Sequence, residues 1–309
     1  MIEKKDKRNS LIELYRFFFA LVVVKSHSLF PYNGKYFGPG GIAVEFFFIV
    51  SGYLFMRSLK KWQDMPLWKG LPKMLLSKIK PIAIPLGLGL VSNLLYIWTV
   101  GEKGFWGYLW YVRVMLVCFA VYFVLARWIK NRKAFFAVTL GICLICSYVR
   151  FGLGEYAFSY TRGGSALSIG ILLSYLPPLQ SKKKWWLWCV VAVLQAITFV
   201  VVANQWSLVS VNGVNAVEAV MVFMLYPALV YFTFQISFQN KVLNYLGALS
   251  FGLYAFQCPA DLLRGWGVND VYILFVFIVL ASVLEDAGKR LWRLRKKRKE
   301  KSLCIFYTN

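Results

Sequence analysis

The feature that most constrains this chain is an apolar run of about twenty residues that recurs ten times, from about Leu11 to Leu284, with only short polar connections between. A segment of that length matches the hydrocarbon thickness of a bilayer, where every backbone N–H and C=O has to be paired within the segment or around a closed barrel. The runs fall at roughly 11–30, 41–57, 81–100, 106–126, 134–149, 164–179, 185–202, 216–235, 242–263 and 269–286. They lack the strict alternation of a barrel strand. The expectation is therefore an all-α, polytopic transmembrane bundle of about ten helices in one domain, residues 1–288, followed by a basic tail, residues 289–309. With 59% hydrophobic residues and a mean hydropathy of +0.59, a soluble fold is excluded.

A net charge of +23 suggests a nucleic-acid footprint until its distribution is examined. Connections that alternate along the chain, starting with the N-terminal segment, hold 28 of the 36 basic residues, seven of them between Arg57 and Lys80. The opposite connections hold only Lys35, Lys103, Arg150, Arg162 and Arg264. This is the positive-inside asymmetry, and it predicts that both termini are cytoplasmic. The tail KRLWRLRKKRKEK, Lys289 to Lys301, follows a spanning run directly and suits anionic lipid headgroups; no nucleic-acid partner is implied. The stretch from Lys60 to Lys80 mixes Trp, Leu and Met with Lys and reads as an interfacial amphipathic segment. The first run has no small-residue cleavage site and more spanning runs follow it, so it reads as a retained helix. Pro177 and Pro178 interrupt the sixth run, which leaves a tilted or re-entrant helix open.

The six cysteines form no disulfide framework or metal-ligand pattern, and the C-x-x-C pair Cys143/Cys146 lies in a membrane run without a second pair. No metal site is expected. The chemistry-bearing residues are the charges inside the runs. Arg16 and His27 are eleven residues apart, which returns to nearly the same helix face with about 16 Å between their depths. Glu13 is placed to pair with Arg16, while Lys25 points elsewhere and can snorkel to the interface. Glu45 lies near the outer end of the second run as His27 does of the first, so the short connection brings them within reach. Glu45 then holds one ring nitrogen of His27 and leaves the other to accept a proton from a hydroxyl. Ser51 and Gly52 allow neighbouring helices to approach. Arg113 adds a further intramembrane charge, with Glu218 as a candidate partner. Two simpler readings stay open: His27 as a hydrogen-bonding interface residue, and Arg16–Glu13 as a structural ion pair.

The run NSLIELYRFFFALVVVKSHS, Asn9 to Ser28, with GGIAVEFFFIVSGYLF, Gly40 to Phe55, resembles the first two helices of integral-membrane acyltransferase family 3. These are bacterial enzymes that acylate cell-surface sugars, peptidoglycan and lipopolysaccharide. SKIKPIAIP, Ser77 to Pro85, is similar to the family's basic motif, with Lys78 and Lys80 where arginines are common. RGGSALSIGILLSYL from Arg162 and LGALSFGLYAFQCP, Leu246 to Pro259, are similar to its sixth-helix and late motifs. Gln257 departs from the late motif, where many relatives carry a histidine; glutamine can hydrogen-bond but cannot relay a titrating proton.

The resemblance implies a multi-pass protein of the bacterial cytoplasmic (inner) membrane that takes acyl-CoA, most often acetyl-CoA, as donor substrate from the cytoplasm. No cofactor is permanently bound. The acceptor is a hydroxyl of an extracytoplasmic glycan or glycolipid. His27 and Glu45 then form the catalytic pair, with Arg113 as an oxyanion stabiliser. Arg57, Lys78 and Lys80 attract the CoA phosphates, and Arg16 guides the pantetheine arm. Two readings compete with this one. A transporter or flippase accounts for the intramembrane charges but not for the paired motifs; a non-catalytic ligand-binding protein on the same scaffold draws support from Gln257.

Overall fold

A computed structural model describes residues 9–27, 40–62, 64–100, 110–153, 159–179, 185–203 and 216–255, with parts of 263–290 beyond. Described secondary structure is entirely helical: α1 Ser10–His27, α2 Gly40–Leu59, α3 Leu67–Ile79, α4 Ala83–Val100, α5 Trp110–Trp128, α6 Arg132–Ser147, α7 Ser159–Leu173, α8 Trp185–Ala203, α9 Ala216–Val220, α10 Tyr226–Gln235 and α11 Lys241–Ala255. A 3-10 turn at Lys80–Ile82 joins α3 to α4, and a π-helical segment at Met221–Leu225 joins α9 to α10. A second π segment, Tyr148–Gly152, extends α6. Up to residue 255 the described helices thus make nine continuous runs, and helical residues 275–284 mark the place of a tenth.

Five of these runs, Leu67–Val91, Trp110–Trp128, Arg132–Gly152, Trp185–Val202 and Ala216–Gln235, are long and apolar enough to cross a membrane. The faces they turn outward are apolar: Leu94, Leu95 and Trp98 on α4, Val117 and Val121 on α5, Leu144 and Ile145 on α6, and Val193 and Phe199 on α8 are all exposed. In water such faces drive aggregation; in lipid they are solvated. The chain is a multi-pass membrane protein. Helices α3 and α4 with their linking turn rise about 51 Å over residues 67–100, well beyond a hydrocarbon core of about 30 Å. On α3, Gly70 and Met74 are buried, Gly70 against the ring of Phe123 on α5, while Trp68 and Leu76 are exposed. The amphipathic character expected for residues 60–80 therefore resides in a real helix.

The centre of the bundle is α2, buried almost continuously from Ala43 to Phe55, with α7 buried from Arg162 to Ile171 beside it. The two run parallel and interlock through glycine. A side chain at Gly170 would overlap the carbonyl of Ile49 and come within 2.9 Å of the Tyr53 amide nitrogen; one at Gly52 would overlap the Leu167 carbonyl. Each glycine thus admits the backbone of the other helix, the close approach that small residues permit in membranes. Gly52 plays the part expected of it. Helix α7 ends at Leu173, so Pro177 and Pro178 lie beyond it and do not break it; the Pro177 carbonyl accepts a 2.7 Å hydrogen bond from the Tyr231 hydroxyl.

Helix α1 packs chiefly between α2 and α11. Its start is clasped by the α10–α11 connection. Asn9 Nδ2 donates to the carbonyls of Thr233 (2.9 Å) and Ile236 (2.7 Å), and Ser10 Oγ accepts from the Asn240 amide (2.7 Å). Further along, the ring of Phe19 meets those of Phe46 on α2 (4.4 Å) and Tyr226 on α10 (5.3 Å).

Candidate active site

Glu45 lies on α2 about 7.5 Å from the start of the helix and is fully buried. A carboxylate there loses its hydration, which costs several kcal/mol unless partners replace the water. Two arginines do so. Arg150, carried by the π segment after α6, places Nη2 against Glu45 Oε1, and Arg162, in the first turn of α7, places Nε 3.2 Å from the same oxygen. Both arginines also reach Glu218 on α9: Arg150 through Nη2, and Arg162 through Nη2 at 3.0 Å. All four residues are buried. Two acids and two bases thus close into a neutral ring spanning four helical runs. Space for the Arg162 guanidinium exists because residue 41 is glycine; a Cβ there would overlap Arg162 Nη1. The Phe151 ring lies 4.5 Å from the Arg150 guanidinium carbon, and Tyr226 is buried within electrostatic range of both acids.

The ring is not saturated. Apart from the ion contacts, both Glu45 oxygens, Arg150 Nε and Nη1, Arg162 Nε and the Tyr226 hydroxyl are buried with no hydrogen-bond partner among the described residues. Unpaired polar atoms in low dielectric are costly, and they concentrate at sites that bind or react.

Arg150 and Arg162, expected in outer connections, belong instead to helical runs and are buried in the ring. A charge ends an apolar run in any hydropathy reading, and the acids that neutralise these two are remote in sequence. Glu218, considered as a partner for Arg113, is engaged by Arg150 and Arg162. Arg113 is exposed, its guanidinium carbon 5.6 Å from the Tyr160 ring.

Helix α1 ends at His27. The His27 side chain and its pairing with Glu45 lie outside the described residues, as do Lys25 and Gln257. Arg16 pairs with Glu13 as expected, at 3.0 Å, and Gly247 of the late motif lets α11 approach against Glu13. The basic residues divide. Arg57, near the other end of α2 from Glu45, donates to the Tyr53 hydroxyl (3.1 Å) and lies over the Tyr53 and Phe234 rings. Lys78 donates to Ser58 Oγ at 3.2 Å, at the same end of α2 as Arg57; Lys80 is exposed. Arg57 is twelve residues from Glu45, about 18 Å along α2.

Among the described residues no group of three or more His, Cys, Asp or Glu side chains is placed to hold a metal ion. Cys143 and Cys146 are free thiols turned toward α7, Cys143 Sγ 3.8 Å from the Ser165 carbonyl and Cys146 Sγ against Gly164. Their environment is a helix–helix contact.

A helical membrane bundle with a buried ionic ring near one end of its central helix and a basic, aromatic cluster near the other defines a polytopic protein with polar groups gathered at two levels. A family model described as an acyltransferase domain matches residues 9–284. The chain belongs to this family, acyltransferase family 3, and is a membrane acyltransferase. No curated protein and no solved structure gives a match.

Proposed function

We propose that the protein transfers an acyl group, acetyl by preference, from cytoplasmic acyl-CoA to a hydroxyl of an extracytoplasmic glycan or glycolipid in a bacterial cytoplasmic membrane. The observation that carries this reading is the division of polar residues along α2, with Arg57 and Lys78 gathered near one end and the Glu45 ring near the other, about 18 Å away. That distance suits a long donor whose phosphates are held at one surface while its thioester reaches inward.

Arg57 and Lys78, with the exposed Lys80, attract the CoA phosphates, and Arg16 guides the pantetheine arm. At the His27 end the acceptor hydroxyl gives its proton to the imidazole as its oxygen attacks the thioester carbonyl. The tetrahedral oxyanion collapses, expels the CoA thiolate, and the thiolate takes the proton from the imidazolium. Arg113 is assigned to the oxyanion. In this scheme Glu45 orients the His27 imidazole.

Acyl transfer from labelled acetyl-CoA to envelope glycan, measured with the purified protein in defined membranes, tests the scheme. His27→Ala is expected to lower turnover by about 10²–10⁴-fold; wild-type turnover in that variant overturns the base assignment. Gln257 favours a second reading, a ligand-binding protein without turnover, which predicts tight acyl-CoA binding with no CoA release under any acceptor.

A further inference from the structure

We infer that Glu218 is a positioning residue of the site: by taking the hydrogen bonds of Arg150 and Arg162 it leaves the Glu45 carboxylate held by charge alone and open as an acceptor for a donor in the reacting system. The geometry supports this at each contact. Both arginines meet Glu45 at Oε1, and each also reaches Glu218 Oε1. Both arginines hydrogen-bond Glu218, whereas neither Glu45 oxygen, on a fully buried side chain, has a hydrogen-bond partner among the described residues. Two arginines facing a single buried carboxylate would take both of its oxygens, since the bidentate fork is the favoured arrangement. A second acid prevents this by dividing their donors.

The backbone is adapted to the same end. Arg150 lies inside one π segment, and Glu218 lies three residues before the other. A π turn inserts an extra residue and rotates everything beyond it around the helix axis, and such turns recur at functional sites. Here both of them border one ring, and the residues they carry are its two members from outside the tightly packed α2–α7 pair.

This inference deepens the acyl-transfer reading and rests on it for the turnover arm of its test. The full-length protein in lipid nanodiscs is compared with Glu218→Gln, Arg150→Gln and the double variant. Glu218→Gln leaves two cations against one acid and is expected to lower kcat at least tenfold with KM for acyl-CoA unchanged, because the freed arginine donors engage the Glu45 oxygens. The double variant restores one base per acid and is expected to recover at least threefold in kcat over Glu218→Gln, and to unfold at a higher temperature than either single variant. Wild-type kcat in Glu218→Gln, or a double variant worse than both singles in kcat, overturns the inference. Thermal unfolding needs no substrate. If the wild-type protein transfers no acyl group, the acyl-transfer reading fails and the unfolding series alone decides the ring: recovery in the double variant supports it, and additive loss overturns it.

Discussion

Substituting Gly170 by alanine adds one methyl group at the point where α7 lies against the backbone of α2. That methyl would overlap the Ile49 carbonyl and press on the Tyr53 amide nitrogen at 2.9 Å. Neither neighbour is the free end of a side chain, so the helices have to separate. Overpacking a tight interior contact costs typically about 1–3 kcal/mol, and a rigid backbone neighbour puts this site at the upper end. Replacing a mid-helix glycine gains about 1 kcal/mol. The expected net loss is about 2 kcal/mol, a fall of several degrees in Tm. Separation also acts at a distance, because Ile49 is one turn from Glu45 and Gly170 about two turns from Arg162. The 3.2 Å contact between Arg162 and Glu45 lengthens, and acyl transfer falls with it. Gly141 on α6 is the internal control, since a Cβ there meets nothing within 4 Å; Gly141→Ala is expected to be at least as stable as wild type. Thermal unfolding in nanodiscs and turnover on the same samples measure both effects. Equal Tm and turnover for Gly170→Ala and Gly141→Ala would refute the reasoning.

Other substitutions separate the remaining parts. Arg57→Ala and Lys78→Ala are each expected to raise KM for acyl-CoA about five- to twentyfold with little change in kcat, as read from initial rates; a reversed pattern contradicts phosphate attraction. Asn9→Ala removes both hydrogen bonds to the α10–α11 connection and leaves the Thr233 and Ile236 carbonyls to find other donors, with an expected loss of about 1–3 kcal/mol by thermal unfolding. Cys143→Ala with Cys146→Ala is expected to cost about 1 kcal/mol of packing and to leave turnover unchanged; abolished turnover in a stably folded protein would restore a chemical role for the pair.

The helical bundle was legible because hydrocarbon imposes one rule on every spanning segment: residues 185–202 are helical throughout, and the run 216–235 stops where α10 stops, at Gln235. The errors sit where a charge meets a helix end. Run 134–149 stopped one residue short of Arg150, and run 164–179 began two residues after Arg162, while the helical runs continue through both. Hydropathy treats each arginine as if it faced lipid or water alone. Whether it is instead neutralised depends on Glu45 and Glu218, more than fifty residues distant from either arginine, and no local window contains that information. Glu45 itself was recognisable, because a lone acid in an apolar run needs a partner; that Arg150 and Arg162 meet it was not. With the two arginines withdrawn from the sparse side of the charge count, only Lys35, Lys103 and Arg264 remain there, and the expected orientation rests on a steeper asymmetry.

The clasp at the start of α1 carries a consequence for biogenesis. Asn9 and Ser10 are synthesised some 230 residues ahead of the groups that hold them, from Thr233 to Asn244. At about 5–20 residues per second, that interval is on the order of 10–50 s. Through all of it the first helix sits in the bilayer with Glu13 and Arg16 paired only to each other and its N-terminal hydrogen bonds unmade. Completion of α11 is therefore the event that locks the entry helix, and truncation before residue 240 should leave a protein whose opening segment is inserted but never secured.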